Sequence, residues 1–337
     1  MKVLYTGPLR RGSMTESRRL ELLELGHEVI SVDQSRHVDR RRYIDRKLHQ
    51  HLLVGPGIGA YNRELLQTAA RTQPDLIYID QAHYLWPQTV RALQKTTGRM
   101  VHYTSEHFGF RRYLFRHFHK TIPLYDVHVH TYAFSKQWLE LRGARRVVLS
   151  EFGYDPRIHR PPELTEEDRR KYGSDVIFIG HHEPSTEKMI LALQQAGIDV
   201  KIYGSGWKRR SRHIRGGKQI RPASLEEYVK LIACAKVCLC FLSKWNNNTL
   251  HSAGRTFEIP AIGSFLLAER TPDHLRYYVE GKEAEFFGSS KELVDKVRYY
   301  LAHDDQRRAI AEAGHLRCLT SGYSHRERMK QILELIN

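Results

Sequence analysis

Short apolar runs alternate along the chain with segments in which apolar residues recur every three or four positions. The first kind predicts buried strands and the second amphipathic helices. In the first half, strands are expected over 2–6 (KVLYT), 28–32 (EVISV), 76–79 (LIYI), 100–104, 127–130 and 147–149. Helices are expected over 15–25, closed by Gly26, over 61–71 after the Gly55–Gly59 loop, and over 87–96. The Arg- and His-rich stretch 36–51 carries no readable period. Strands that are apolar on both faces, separated by helices, imply a parallel sheet covered on each side.

The alternation breaks over 152–175, FGYDPRIHRPPELTEEDRRKYGSD, where Pro156, Pro161 and Pro162 stand among charges and few large apolar residues. Such a stretch reads as a linker. The alternation then restarts. Strands are expected over 176–179, 199–203, 237–242 and 265–268, and helices over 186–196, 225–233 and 255–262. Helices over 291–302, 306–318 and 325–336 close the chain. The expected organisation is an amino-terminal domain over 1–155, a linker over 156–175, a second domain over 176–320 and a terminal helix over 321–337. Two doubly wound units in series place a ligand at the carboxyl ends of their strands.

Composition narrows the classes. A length of 337 residues suits two domains, and 41% hydrophobic with 27% charged residues is an ordinary globular balance. Three of the four cysteines, Cys234, Cys238 and Cys240, fall in or beside one apolar run, which speaks against a disulfide scaffold or a zinc site. The opening MKVLYTGPLRRG lacks the pattern of a secretory leader, and no apolar run approaches membrane-spanning length, so a cytoplasmic protein is expected. The formal net charge of +16 favours anionic partners: phosphorylated substrates, anionic lipid or nucleic acid.

One segment carries a family signature. Arg255–Leu267, RTFEIPAIGSFLL, resembles the nucleotide-sugar-binding helix and strand of GT-B glycosyltransferases, in the version shared by enzymes similar to the spore-maturation protein CgeB. Arg255, Phe257, Glu258, Pro260, Ala261, Gly263 and Leu266 match that pattern in place. The resemblance is strongest over 176–337 and weaker over 1–155. It implies two Rossmann-like domains facing across a cleft, with the carboxyl-terminal helix returning to the first. It also implies a metal-independent transfer of a sugar from a nucleotide-diphospho-sugar, uracil being the favoured base, to an acceptor hydroxyl, with no bound cofactor. The chain departs from many retaining members at Leu250, where they carry the first of two glutamates.

Physical chemistry gives the same segment a donor-binding role. Ser252 and Gly254 are small enough to let a ligand approach the backbone. A helix start offers N–H groups to phosphate, and Arg255 in the first turn could fork two phosphate oxygens. Glu258, one turn on, could accept the ribose hydroxyls. The alternative is an Arg255–Glu258 ion pair spaced i, i+3. The resemblance also implies that the turn GHHEPSTEK (180–188), with Gly180, His181 and Lys188, lies near the diphosphate, the alternative being a solvated loop capping a helix. Tyr203-Gly204-Ser205-Gly206-Trp207 matches the family's strand-end YGxGW, with Tyr203 or Trp207 beside the base or in the core. The basic loop 208–221 is a solvated surface or faces a phosphorylated or membrane partner.

In the first domain the resemblance places the acceptor. The loop after the first strand supplies Gly7, Arg10, Arg11 and Gly12, and its lack of G-x-G-x-x-G spacing argues against a dehydrogenase despite Asp33. Glu106 and His107, just past a strand end, are the catalytic candidates, since either could take the acceptor proton; inversion and retention both remain open. His117, His119, His128 and His130 read as structural or surface groups, with no metal site. Three competing readings stand beside this one: a nucleotide-sugar epimerase of the same fold, a basic nucleic-acid-binding protein, and peripheral attachment to the inner face of a membrane through the basic stretches 36–47 and 111–120. The last is compatible with transfer to a polysaccharide, protein or lipid-linked acceptor.

Overall fold

The computed structural model describes residues 1–38, 52–81, 84–105, 116–207, 211, 214, 223–243 and 252–336. The chain divides into two units, 1–151 with 325–337, and 152–324.

The first unit runs β1 (Lys2–Gly7), α1 (Met14–Glu24), β2 (Glu28–Asp33), α2 (Gln34–His37), α3 (Pro56–Thr72), β3 (Leu76–Asp80), α4 (Pro87–Leu93), β4 (Met100–Thr104), α5 (Arg116–His119), β5 (Val127–His130), α6 (Ala133–Glu140) and β6 (Val147–Leu149). Its six strands pair in the order β2-β1-β3-β4-β5-β6, all parallel. Alternate residues feed opposite faces: Leu4, Ile77, Ile79 and Met100 pack into one core, and Val3, Tyr5, Tyr78, Val101 and Val129 into the other.

The second unit runs α7 (Glu166–Tyr172), β7 (Ser174–Ile179), α8 (Pro184–Gln195), β8 (Val200–Tyr203), α9 (Leu225–Ala233), β9 (Ala235–Cys240), α10 (Arg255–Ala261), β10 (Leu266–Glu269), α11 (Pro272–Tyr277), β11 (Glu285–Phe287), α12 (Ser290–Ala302) and α13 (Asp304–Thr320). Its parallel sheet has the order β11-β10-β9-β7-β8. Cys238 and Cys240 point into one core and Val237 and Leu239 into the other; all four cysteines are free thiols. The last helix, α14 (His325–Ile336), belongs to the first unit. There it buries Met329, Ile332, Leu333 and Ile336 against Val3, Tyr5 and Leu22.

The short helices α2, α5, α6, α7 and α11 are not among the sequence expectations, and α3 starts earlier than expected. The glycine run at 55–59 is not a loop before a helix; α3 begins at Pro56 and absorbs it. A Cβ on Gly57 would stand 2.0 Å from the His37 carbonyl oxygen, so the glycine admits close packing of the helix start on the end of α2. The proline-rich stretch also holds a helix, α7. Thr165 and Asp168 close a capping box at its start, with Thr165 Oγ1 accepting from the Asp168 N–H at 3.1 Å.

Candidate functional site

In the second unit the sequence candidates gather at the carboxyl ends of β7, β8 and β9, where open α/β sheets hold their ligands. β7 ends at Ile179 and runs into Gly180, whose N–H donates to the Tyr203 carbonyl at 2.8 Å. Gly180 and Gly204 lie back to back: a Cβ on Gly204, which has φ +146°, would meet the Gly180 oxygen at 1.9 Å. The same oxygen accepts from the Trp207 indole N–H at 2.8 Å. Tyr203 is buried in the core with Ile179 and Cys240, and Trp207 is fully buried.

Beyond Gly180 the turn is polar. His181 is exposed and sits 2.8 Å through its Nε2 from Glu183 Oε1. Glu183 is buried, and the Ser243 hydroxyl donates to the same oxygen at 2.5 Å, tying the end of β9 to this turn. His182 packs edge-on against Trp207 and bonds Glu187 at 2.7 Å. Lys188 is exposed in the second turn of α8.

α10 carries the rest. Ser252 and Gly254 are buried just before it, and Gly254 already has helical φ and ψ. Arg255 and Glu258 do not pair with each other. Glu258 Oε2 instead accepts a 2.6 Å hydrogen bond from the Tyr228 hydroxyl on α9, and Arg255 Nε is buried and donates to nothing among the described residues. Burial and the neighbouring Glu258 charge push the Tyr228 hydroxyl well above the ordinary tyrosine range, so it stays a donor. The Arg255 charge lies close enough to oppose that rise. Pro260, inside α10, has no N–H for the Thr256 carbonyl, and the Tyr278 hydroxyl donates to that carbonyl at 3.0 Å in its place. Thr256 is itself held by His274, 2.9 Å from its hydroxyl. The helix that presents Arg255 and Glu258 is therefore fixed from outside as well as by its own ladder.

In the first unit Gly7 ends β1, and its missing side chain lets the Asp80 carbonyl oxygen come within 2.3 Å of where a Cβ would stand. Arg10, Arg11 and Gly12 follow in the exposed loop. Asp33 holds that loop rather than facing a ligand: its Oδ1 accepts from the N–H groups of Leu9, at 3.0 Å, and Ser35, at 2.8 Å. Glu106, His107 and the basic loop 208–221, apart from Ser211 and Ile214, lie outside the described residues. Beneath the strand ends lies a group the sequence did not disclose. Arg18 and Asp80 form a buried ion pair, with contacts of 2.6 and 2.9 Å. Tyr5 donates to Asp80 at 2.5 Å, and the Tyr103 ring lies 3.9 Å under the Arg18 guanidinium.

The histidines of β5 are buried. The Ile122 carbonyl accepts from His128 Nε2 at 2.8 Å, so His128 Nδ1, 3.3 Å from His102 Nδ1, is left as an acceptor. His130 Nδ1 accepts from the Tyr132 N–H at 3.0 Å. Among the described residues no group of three His, Cys, Asp or Glu side chains could hold a metal ion, and no helix is long and apolar enough to cross a membrane.

Residues 182–334 match the family described as glycosyl transferase-like. No curated protein matches the sequence. The fold is that of GT-B glycosyltransferases, and solved structures align over nearly the whole chain. A sucrose-phosphate synthase from Thermosynechococcus elongatus is 12% identical, with a TM-score of 0.67 and 99% of this chain and 98% of that one covered. Anabaena HepE in complex with UDP-glucose is 14% identical, with a TM-score of 0.64 and 99% of both chains covered. A glycosyltransferase from Rickettsia africae is 14% identical, with a TM-score of 0.61 and 99% and 97% covered.

Tyr228 and His159 were missed as site residues. Tyr228 sits in a plain amphipathic helix, and His159 in the stretch read as a linker. The motif gave no signal of either, since it offered Arg255 as a partner for Glu258.

Proposed function

We propose that the chain is a glycosyltransferase that moves a sugar from a nucleotide-diphospho-sugar, with UDP as the nucleotide, to an acceptor hydroxyl without a metal ion. The observation that carries the reading is the pair on α10. A guanidinium with a buried Nε bonded to nothing among the described residues is a cation awaiting an anion. A carboxylate one turn away, with Oε1 likewise unbonded among them, is an acceptor for a diol. Arg255 thus binds the diphosphate and stabilises the negative charge that grows on it as the glycosidic bond breaks, and Glu258 holds the ribose. Gly180 and Gly204 pack back to back and shape the turn, Ser252 leaves room at the backbone, and Lys188 adds positive charge beside the His181 imidazole. The match over 182–334 and the UDP-glucose complex of HepE support this assignment.

The acceptor belongs to residues 1–155, with Gly7, Arg10, Arg11 and Gly12 contacting it and Glu106 or His107 taking its proton. The basic surface fits a phosphorylated or lipid-linked acceptor at the inner face of a membrane.

Thermal stability against UDP, GDP, CDP, dTDP and NAD is the test. A ligand at 100 times its Kd should add about 2.7 kcal/mol. The expected result is a shift with UDP that Arg255→Ala and Glu258→Ala abolish, while Glu106→Gln or His107→Ala keeps the shift and loses sugar transfer. No shift with any nucleoside diphosphate would overturn the donor site.

A further inference from the structure

The geometry points to Tyr228 as the positioning residue that makes the donor site selective for a ribose carrying both hydroxyls. The inference rests on the donor-site reading above.

Among the described residues Glu258 has no ion-pair partner to fix its carboxylate. Its only side-chain hydrogen bond among the described residues comes from Tyr228, 2.6 Å away on a different helix. That bond uses one of the two acceptor sites on Oε2 and leaves the other and both on Oε1, so it sets how the carboxylate plane is turned. A carboxylate chelating a vicinal diol needs a defined plane, because two donors must reach it at once.

Tyr228 is itself held. The His159 ring meets it edge-on, with centroids 6.0 Å apart and planes at 81°. His159 is fixed in turn by the Asp155 N–H, which donates to its Nδ1 at 2.9 Å. Asp155 is buried and clamped by Arg157 at 2.9 and 3.0 Å. The chain Asp155–His159–Tyr228–Glu258 therefore runs from the proline-rich stretch to the carboxylate. Removing the Tyr228 hydroxyl frees the carboxylate to rotate without altering the charge on it or on Arg255.

Calorimetric titration of UDP, 2′-deoxy-UDP and inorganic pyrophosphate tests this on the full chain and on Tyr228→Phe, His159→Ala and Glu258→Gln, with each melting temperature recorded. The wild type should prefer UDP to its 2′-deoxy analogue by about tenfold or more, since a site built to bond a hydroxyl rejects a ligand lacking it. Tyr228→Phe should bring that ratio to within about twofold while leaving 2′-deoxy-UDP and pyrophosphate affinities unchanged, a pattern that loss of general stability would not give. His159→Ala keeps the hydroxyl and loosens its ring, and should give an intermediate ratio. Adding Glu258→Gln to Tyr228→Phe should cost nothing further in the ratio, as expected for two groups acting as one. A wild-type ratio retained in Tyr228→Phe overturns the inference and leaves the donor site standing, as does a wild type that binds both nucleotides equally. A wild type that binds no nucleoside diphosphate overturns the donor site and this inference together.

Discussion

The buried His128 shows how one residue can set a pH dependence for its unit. Its Nε2 proton is committed to the Ile122 carbonyl, and its Nδ1 faces another imidazole nitrogen. Burial lowers its pKa from 6.5 to about 4, outweighing the bond to Ile122, which acts the other way. The folded state thus resists a proton that the unfolded chain takes up. The stability His128 contributes is complete above pH 6.5 and is lost as pH falls from 6.5 towards 4, with about 2 kcal/mol gone at pH 5. Urea midpoints at pH 7.5 and 5 should show this loss, and His128→Gln should reduce it; an unchanged pH dependence in that variant would show that other groups govern it. The histidine spacing was plain in the sequence. The Ile122 carbonyl and His102 were not, because both arrive from elsewhere in the fold.

Among the elements, α10 combines a functional motif with a local flaw. Pro260 deprives the Thr256 carbonyl of its helical donor, and Tyr278 supplies one from outside the helix. Tyr278→Phe should leave that buried carbonyl unsatisfied and destabilise the second unit by about 1–3 kcal/mol. Restoring a main-chain N–H with Pro260→Ala should recover much of the loss in the Tyr278→Phe background. Chemical denaturation of the four-member cycle measures this, and strict additivity would show that the two groups do not serve the same carbonyl. The motif made α10 legible, since its residues follow one another in the chain. Its supports come from two other elements, Tyr228 from α9 and His274 with Tyr278 from α11 and its C-cap, and left no local mark. The same division explains α3 and α7. The strands were read from apolar runs, but a glycine run that folds as helix is decided by the approach of α2, and the capping box Thr165–Asp168 was obscured by the prolines before it.

For the whole molecule, the restart of the strand–helix alternation after the proline-rich stretch disclosed two sheets. Their strand orders were not disclosed, because they depend on crossovers that the apolar pattern does not record. The destination of the last helix came from the family resemblance. The structure shows what α14 does there: it buries Met329, Ile332, Leu333 and Ile336 on the first sheet. It is also pinned by Arg328 to Glu151 at 2.7 Å. At about 1.5–3 kcal/mol for each large apolar side chain buried, four of them rival the whole stability of an ordinary domain, about 5–15 kcal/mol. A chain ending at Ser324 should therefore lose cooperative unfolding of the first unit yet keep the UDP-dependent melting shift of the second. Calorimetry would resolve the two transitions, and an intact first transition would show that α14 is dispensable.

The placement of α14 also sets an order of events at the ribosome. The strands of the first sheet emerge early, but a helix that covers one face of it is made only after the whole second unit. Between the synthesis of Glu151 and that of His325, about 9–35 s pass at 5–20 residues per second. Throughout that interval the sheet face bearing Val3, Tyr5 and Val101 has Leu22 of α1 on it but lacks the four apolar side chains of α14. The second unit, continuous in the chain from 152 to 324, can close meanwhile. The unit begun first is completed after the second, and the nascent chain must keep an apolar sheet face from associating with its neighbours until α14 leaves the exit tunnel.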